Sequence, residues 1–203
     1  GVGGYVVEAL TRSGVGRIAI IDKDVVDESN INRQIVALTS TIGKNKVDVM
    51  KQRMLDINPD VKVEAHCEFY LPDNADFIEL GSFDYVVDAI DNVTAKIELI
   101  KRCKQADVPI ISAMGAGNKL DPTRIEIADI SKTSVCPLAK VIRRKLADLG
   151  IEGVTVAYTR EIPANASGGR TPASMMPVPA AMGLTMASKV LRDLSGMRIK
   201  SKS

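Results

Sequence analysis

The sequence lacks long hydrophobic runs, and no apolar stretch approaches the roughly 20 residues that span a bilayer. We therefore expect no membrane segment. With 203 residues, of which 45% are hydrophobic and 26% charged, the composition is typical of one globular domain. The first residues form no basic and apolar leader, so nothing in the sequence predicts export.

The sequence also has few cysteines and a single histidine. Cys67, Cys103 and Cys136 lie far apart and form no Cys-x-x-Cys pair. An odd number of scattered thiols indicates neither a disulfide framework nor a zinc site, and it is typical of a reducing cytoplasm. His66 lies in an alternating stretch, where a strand-surface residue is expected more often than a catalyst.

Positive charge is concentrated towards the C-terminus. Residues 1–130 have 15 Lys and Arg against 21 Asp and Glu, a net charge of −6, whereas residues 131–203 have 12 against 4, a net charge of +8. The predicted helix 134–149 places Lys140, Arg143 and Arg144 opposite an apolar stripe formed by Leu138, Val141, Ile142 and Leu149. This basic face either binds RNA phosphates or is simply a solvated surface.

Predicted strands and helices alternate along the chain, which indicates an α/β fold with a doubly wound, mostly parallel sheet. The predicted strands are 17–22, 61–67, 85–92, 108–114, 124–128 and 153–158. The predicted helices are 5–13, 46–58, 73–80, 93–106, 134–149 and 180–194. We expect one domain, 1–203, whose basic part is 131–203 and whose residues 160–179, rich in proline and glycine, form a flexible loop.

The stretch Asp22–Gln34 combines three kinds of nucleotide ligand. Asp22 ends an apolar strand, and Ser29, Asn30 and Arg33 follow within a short polar segment. A carboxylate binds ribose hydroxyls, amides donate hydrogen bonds, and the planar fork of arginine matches phosphate oxygens. Lys46, in the first turn of the next predicted helix, would point either into this site or out to water.

Two further segments belong to the same predicted site. Gly1 and Gly3 lie in a glycine loop that enters a helix, and bare amides at a helix N-terminus bind phosphate. Asp88 and Asp91 lie at the carboxyl end of strand 85–92, where parallel sheets bind ligands, so we expect both to face the crevice of Asp22. Asp91 is also a candidate N-cap of the following helix, and the two roles can coexist.

The sequence has no Gly-x-x-x-x-Gly-Lys-[Ser/Thr] motif, so the phosphate site is not a Walker loop. A dehydrogenase would use Asp22 but would leave Arg33, Lys46 and Asp91 without a task. An ATP-dependent enzyme would use all three, because two cations offset phosphate charge and an aspartate holds magnesium. We therefore favour an ATP enzyme.

Together these motifs resemble the ATP-binding domain of the ubiquitin-activating-enzyme-like superfamily, which includes ThiF- and MoeB-type adenylyltransferases. The resemblance covers nearly the whole chain and implies a Rossmann-like fold. It implies that the catalytic residues are Arg33, Lys46 and Asp91, and that Asp91 places Mg²⁺. It implies ATP binding by Gly1, Gly3, Asp22, Ser29, Asn30, Arg33, Lys46 and Asp91. In this superfamily a first strand, further glycines and an arginine precede the position of Gly1, so we expect them upstream of it.

Within the superfamily, four segments resemble the tRNA threonylcarbamoyladenosine dehydratases: 32–38, 88–91, 115–123 and 132–139. This resemblance implies ATP-dependent cyclisation of a tRNA side chain through an adenylated carboxylate, a homodimer and possible sulfur-transfer partner proteins. Cys136 is then a structural thiol, since the mechanism needs no protein nucleophile. One alternative is an adenylyltransferase of a sulfur-carrier or ubiquitin-like protein, although those enzymes usually have paired Cys-x-x-Cys zinc ligands. Another is a nucleotide-responsive scaffold that performs no chemistry.

Overall fold

The computed structural model describes residues 1–164 and 174–197. Within them, five α-helices and six β-strands follow one another, with short 3₁₀ turns between some of them. In chain order the elements are α1 Val2–Arg12, β1 Arg17–Ile21, α2 Lys46–Ile57, β2 Lys62–His66, β3 Val86–Asp88, α3 Val93–Gln105, β4 Ile110–Ala113, β5 Ile125–Asp129, α4 Pro137–Asp148, β6 Thr155–Thr159 and α5 Pro177–Ser195.

The strands pair in two sheets. β1 and β2 run parallel, with Arg17 opposite Lys62 and Ile21 opposite His66. The other sheet has the order β3-β4-β6-β5, in which the first three strands are parallel and β5 is antiparallel to β6. The expected α/β fold with mostly parallel strands is therefore confirmed, and the predicted strand 124–128 is its antiparallel member.

Helices cover both faces of the four-stranded sheet. Alternating residues of β4 and β6 divide between two hydrophobic clusters, with Ile111 and Ala157 in one and Ile110 and Val156 in the other. The first cluster includes residues of α1, α2 and α5, and the second includes residues of α3 and α4. Strands buried on both faces are typical of a doubly wound fold.

The first and last helices, α1 and α5, make an unusually close contact. A Cβ added to Gly183 of α5 would lie 2.4 Å from the backbone oxygen of Val2 and 2.8 Å from Cβ of Tyr5. A larger residue at position 183 would therefore push α1 away, and only glycine fits without movement.

Three of the predicted elements differ from the structure. Residues 73–80 form only 3₁₀ turns, at Ala75–Phe77 and Leu80–Ser82, instead of a helix. The strand predicted over 85–92 ends at Asp88. In α4 the buried residues are Ala139, Ile142 and Leu146. Two members of the predicted stripe are exposed, Val141 by 44% and Leu149 by 53%.

The predicted helix 180–194 is confirmed and begins earlier, at Pro177. The central part of the loop predicted over 160–179, residues 165–173, lies outside the described residues. None of the helices in the described ranges is long and apolar enough to cross a membrane.

Candidate nucleotide-binding site

Asp22 lies directly after β1, where the sheet ends. Its backbone N–H donates to the carbonyl of His66 at 3.1 Å, which continues the pairing of β1 with β2 by one residue. One carboxylate oxygen accepts from the backbone N–H of Asp24 at 2.9 Å. The half-buried carboxylate is thus fixed at the carboxyl edge of the parallel strands, where ligands of such sheets bind.

The polar segment after Asp22 is held by its own hydrogen bonds. Asp27 accepts from the backbone N–H of Ser29 at 2.8 Å, and Asn30 accepts from the backbone N–H of Asp27 at 3.2 Å, a reciprocal capping box. Hydrogen bonds from Ser29 hold the pKa of Asp27 below its ordinary value. Asn30 is only 8% exposed, and its side chain stabilises this turn.

The guanidinium group of Arg33 is oriented by its own segment. Its Nη1 donates to the backbone oxygen of Ser29 at 2.7 Å and to Oδ1 of Asn32 at 2.8 Å. Asn32 in turn donates to the backbone oxygen of Ser174, at 2.7 Å, in the segment before α5. Within residues 1–164 and 174–197, Arg33 forms no ion pair, so its positive charge is available to an anion.

Lys46 begins α2, and its side chain is turned away from bulk water, with 11% exposed. Its Nζ lies 3.0 Å from Oδ2 of Asp24, and its backbone N–H donates to the carbonyl of Asp24 at 2.9 Å. The Lys46 side chain is thus directed towards Asp24 and not out to bulk water, and its entry into a nucleotide site stays a prediction. Asp24, which the sequence did not single out, is its partner.

The N-terminus of α1 brings these charges together. Gly1, at the N-terminus of α1, interacts electrostatically with Lys46, Arg33 and Asp22. All three side chains therefore lie within electrostatic reach of the first turn of α1. This turn has no acidic residue, and its free N–H groups favour an anion.

The first turn of α1 also lies against two loops. A Cβ added to Gly3 would lie 3.3 Å from Cβ of Ala89, and one added to Gly4 would lie 2.8 Å from Cγ2 of Ile35. Ala89 belongs to the loop that carries Asp91, and Ile35 follows the segment that carries Arg33. The glycines thus allow one helix N-terminus to touch both candidate segments.

Asp91 lies on the loop between β3 and α3. The N-cap of α3 is Asn92, whose side chain accepts from the backbone N–H of Ala95 at 3.0 Å. The predicted capping role of Asp91 is therefore wrong. Its carboxylate is exposed and has neither hydrogen bond nor ion pair in the described part of the chain, which leaves it available to a ligand.

Asp88, which was expected to face the same crevice, is instead fully buried. Its Oδ2 lies 2.7 Å from Nζ of Lys96, which is also fully buried. A buried carboxylate needs a paired charge, and Lys96 supplies it from α3. The sequence contains a signal for this pair, because Lys96 falls on the helix face formed by Leu99, Ile100 and Cys103.

The basic face of α4 contains two of its three predicted residues. Lys140 and Arg144 are exposed, as is Lys145, and none of these three forms an ion pair within the described ranges. Arg143 instead donates from Nη1 to the carbonyl and hydroxyl oxygens of Thr133, at 2.9 and 2.7 Å. Part of its guanidinium group is thus used in an internal contact, and its RNA contact stays a prediction.

The residues present fit a magnesium ion only together with a bound phosphate. No group of three or more His, Cys, Asp or Glu side chains in the described residues is arranged to hold a metal ion. Mg²⁺ usually keeps several waters and binds one or two carboxylates plus substrate phosphates. The exposed and unpartnered carboxylate of Asp91 fits that pattern.

The fold and this arrangement define a class of protein. A helix N-terminus, an arginine, a lysine and two carboxylates at the carboxyl edge of parallel strands are the kinds of group that bind a nucleotide with its phosphates. The ThiF family matches residues 1–203, and the chain belongs to that family. The predicted superfamily is thereby confirmed.

Particular relatives can be named within the family. The chain is 46% identical to a tRNA threonylcarbamoyladenosine dehydratase of Bacillus subtilis (strain 168), over 100% of this chain and 88% of the relative. It is 42% identical to a protein of the same name from Escherichia coli (strain K12), over 74% of this chain and 57% of the relative. The solved structure of the E. coli dehydratase TcdA in complex with ATP has a TM-score of 0.86 and 34% identity, covering 97% of this chain and 85% of that chain.

Proposed function

We propose that this protein is an ATP-dependent tRNA threonylcarbamoyladenosine dehydratase. The observation that carries the proposal is the 46% identity to the Bacillus dehydratase over the whole chain. The candidate site supports it, because the positive charges of Arg33 and Lys46 lie near the N-terminus of α1, a combination that suits phosphate groups. In this proposal Asp22 binds the ribose hydroxyls, and Ser29 and Asn30 shape the segment that carries Arg33.

In the first step, a carboxylate oxygen of the threonylcarbamoyl side chain attacks the α-phosphorus of ATP. The bond from that phosphorus to the bridging oxygen breaks, and pyrophosphate leaves from an acyl adenylate. Arg33 and Lys46 stabilise the negative charge that accumulates on the phosphate oxygens. Asp91 would hold Mg²⁺, which supplies further positive charge to the phosphates when bound.

In the second step, a nitrogen or oxygen of the same side chain attacks the activated acyl carbon. The bond from this carbon to AMP breaks, the attacking atom loses its proton, and a ring closes with net loss of one water. Because the attacking group is already tethered, proximity lowers the barrier without a protein nucleophile. Cys136, only 3% exposed, is not required.

The exposed face of α4 is the proposed contact to tRNA. Lys140 and Arg144 lie four residues apart, so they project from the same side of the helix. Neither has an internal anionic partner in the described residues, which leaves both charges available to phosphates. Arg143 contributes less to this proposed contact, because its Nη1 is bonded to Thr133.

One observation favours a second candidate function, adenylation of a sulfur-carrier or ubiquitin-like protein. The chain is 36% identical to an adenylyltransferase and sulfurtransferase of Lodderomyces elongisporus, over 57% of this chain and 25% of the relative. This match is shorter and weaker than those to the dehydratases. The sequence also lacks a Cys-x-x-Cys pair.

The decisive experiment incubates the complete protein with ATP, Mg²⁺ and tRNA that contains threonylcarbamoyladenosine. Nucleoside mass spectrometry should show loss of one water from the modified nucleoside, with equal amounts of AMP formed. Arg33→Ala should abolish both products while the protein stays folded. Transfer of AMP to the C-terminal glycine of a carrier protein, with the tRNA nucleoside unchanged, would reject the dehydratase in favour of the second function. Absence of pyrophosphate with either substrate would favour the scaffold.

Three predictions made from the sequence remain predictions: a homodimer, partner proteins that transfer sulfur, and a cytoplasmic location. The dehydratase proposal agrees with the third, because its substrate is tRNA. The exposed apolar residues of the segment after Asp22, Val25 and Ile31, are 50% and 43% exposed and form part of the surface available to a second subunit.

A further inference from the structure

A fully buried hydrogen-bond network lies directly beneath the loop that carries Asp91. Nζ of Lys96 donates to Oδ2 of Asp88 at 2.7 Å, to the carbonyl of Ala113 at 2.9 Å and to Oγ of Ser112 at 3.3 Å. Oγ of Ser112 donates to the same Asp88 oxygen at 2.5 Å. All three N–H bonds of the ammonium group therefore have acceptors, and Lys96, Asp88 and Ser112 are each 0% exposed.

The network connects three elements at one point. Lys96 lies in the first turns of α3, Asp88 ends β3, and Ser112 and Ala113 end β4. The loop that carries Asp91 starts from the end of β3. The ammonium group thus fixes the start of α3 relative to both strands.

The second oxygen of Asp88 extends the network into the loop itself. Oδ1 of Asp88 accepts from the backbone N–H of Ile90 at 2.9 Å. On the other side, Asn92 is fixed as the N-cap of α3. Asp91 therefore lies between two anchored residues, while its own carboxylate has no partner in the described residues.

Such a buried charged network contributes little net stability to the folded protein. The desolvation of two buried charges offsets most of their attraction, and apolar residues of similar volume are often as stabilising. Its distinctive effect is geometric, because it defines where the backbone on both sides of Asp91 lies. Partners behind a metal-binding carboxylate commonly tune metal affinity in this way.

We infer that Lys96 is a positioning residue that acts through Asp88 to hold Asp91 where it binds the metal ion of the ATP complex. The inference rests on the proposed function, in which Asp91 holds Mg²⁺. Ser112 has the same task, but a smaller effect, because it donates only one of the bonds to Asp88. Both side chains are fully buried, so neither is accessible to ATP or tRNA.

The test compares Lys96→Met, Ser112→Ala and Asp91→Asn with the unaltered protein. Calorimetry measures the ATP dissociation constant at graded Mg²⁺ concentrations and in EDTA, and unfolding is followed in parallel. Lys96→Met should raise, about 10–100-fold, the Mg²⁺ concentration at which half of the Mg²⁺-dependent gain in ATP affinity is reached. Its ATP affinity in EDTA should stay within about twofold, because Arg33 and Lys46 are untouched.

Lys96→Met leaves Asp88 buried without a cation and is at risk of unfolding. The double variant Asp88→Asn/Lys96→Met removes both charges, and Ser112→Ala leaves the ion pair intact. Both should fold, and both should shift the Mg²⁺ dependence in the same direction, Ser112→Ala by less. Folded variants with an unchanged Mg²⁺ dependence would overturn the positioning role.

Asp91→Asn separates the two levels of the proposal. If Asp91→Asn shifts the Mg²⁺ dependence and the Lys96 and Ser112 variants do not, only the positioning role is rejected. If Asp91→Asn also leaves the Mg²⁺ dependence unchanged, the metal assignment of Asp91 fails and the positioning role fails with it. The dehydratase reaction is judged separately, from the tRNA nucleoside.

Discussion

The two aspartates of one loop allow a matched test of the site. Asp88→Asn and Asp91→Asn make the same chemical change three residues apart, in opposite environments. Asp88 is fully buried against Lys96, and its neutralisation leaves a buried ammonium group without its counter-charge. Removal of one partner of a buried pair costs about 3–5 kcal/mol. For a chain of this length, a loss of that much unfolding free energy corresponds to a fall in Tm of about 10 °C.

Asp91 is exposed and unpartnered in the described residues, so Asp91→Asn should change the unfolding free energy by less than about 0.5 kcal/mol. Its effect should fall on the reaction instead. Weakened metal binding in the transition state, at a cost of about 3 kcal/mol, would lower the rate of AMP formation about a hundredfold. Differential scanning calorimetry and pyrophosphate release, measured on both variants, check these two expectations. An Asp91→Asn protein as unstable as Asp88→Asn, or one with full activity, would refute the reasoning.

Three further predictions concern helix packing, RNA binding and pH. Gly183→Ala should destabilise the protein by about 1–3 kcal/mol in urea unfolding, because its Cβ would overlap the backbone of α1. Lys140→Ala/Arg144→Ala should weaken tRNA binding and reduce the slope of log K against log salt by about 1 per lost phosphate contact. Burial raises the pKa of Glu8, but the hydrogen bonds and positive charges of Arg53 and Arg12 together lower it more, so its net pKa lies below the ordinary value of a glutamate. Glu8→Gln should therefore lose stability that is present above about pH 4.5 and disappears as the pH falls through the lowered pKa.

Each of these predictions has a control and an opposing outcome. Leu184→Ala, at an exposed neighbour of Gly183, should leave the urea midpoint nearly unchanged, and equal midpoints for both variants would contradict the packing argument. Lys51→Ala/Lys62→Ala removes two exposed charges elsewhere and should leave the salt slope unchanged. If Glu8→Gln costs the same stability at pH 3 as at pH 7, the contribution of the Glu8 carboxylate is not electrostatic.

The sequence predicted those parts of the site that depend on local pattern. An apolar run that ends in an aspartate located Asp22 at the end of β1, and helical spacing located the start of α2 at Lys46. The alternation of strands and helices then implied which strand ends share an edge. These features need only the backbone periodicities and the rules of parallel sheets.

The parts of the site that the sequence did not predict depend on contacts between residues that are distant in sequence. Asp88 and Asp91 look equivalent in sequence, and only the position of Lys96 on α3 shows that one is buried and the other free. Asp91 and Asn92 are both good N-caps, so a difference of one residue in the start of α3 decided their roles. Arg143 fell on the polar side of its helix, but its length lets it reach Thr133, which no periodicity reveals.

The close contact at Gly183 has a consequence for how the protein is made. α1 carries the proposed phosphate-binding turn near the beginning of the chain, yet it packs against a helix that ends at Ser195. On the ribosome, α1 therefore cannot make this contact until α5 has been synthesised. Nascent chains that stop before α5 should be unable to retain ATP, so nucleotide binding itself would report that α5 has been made.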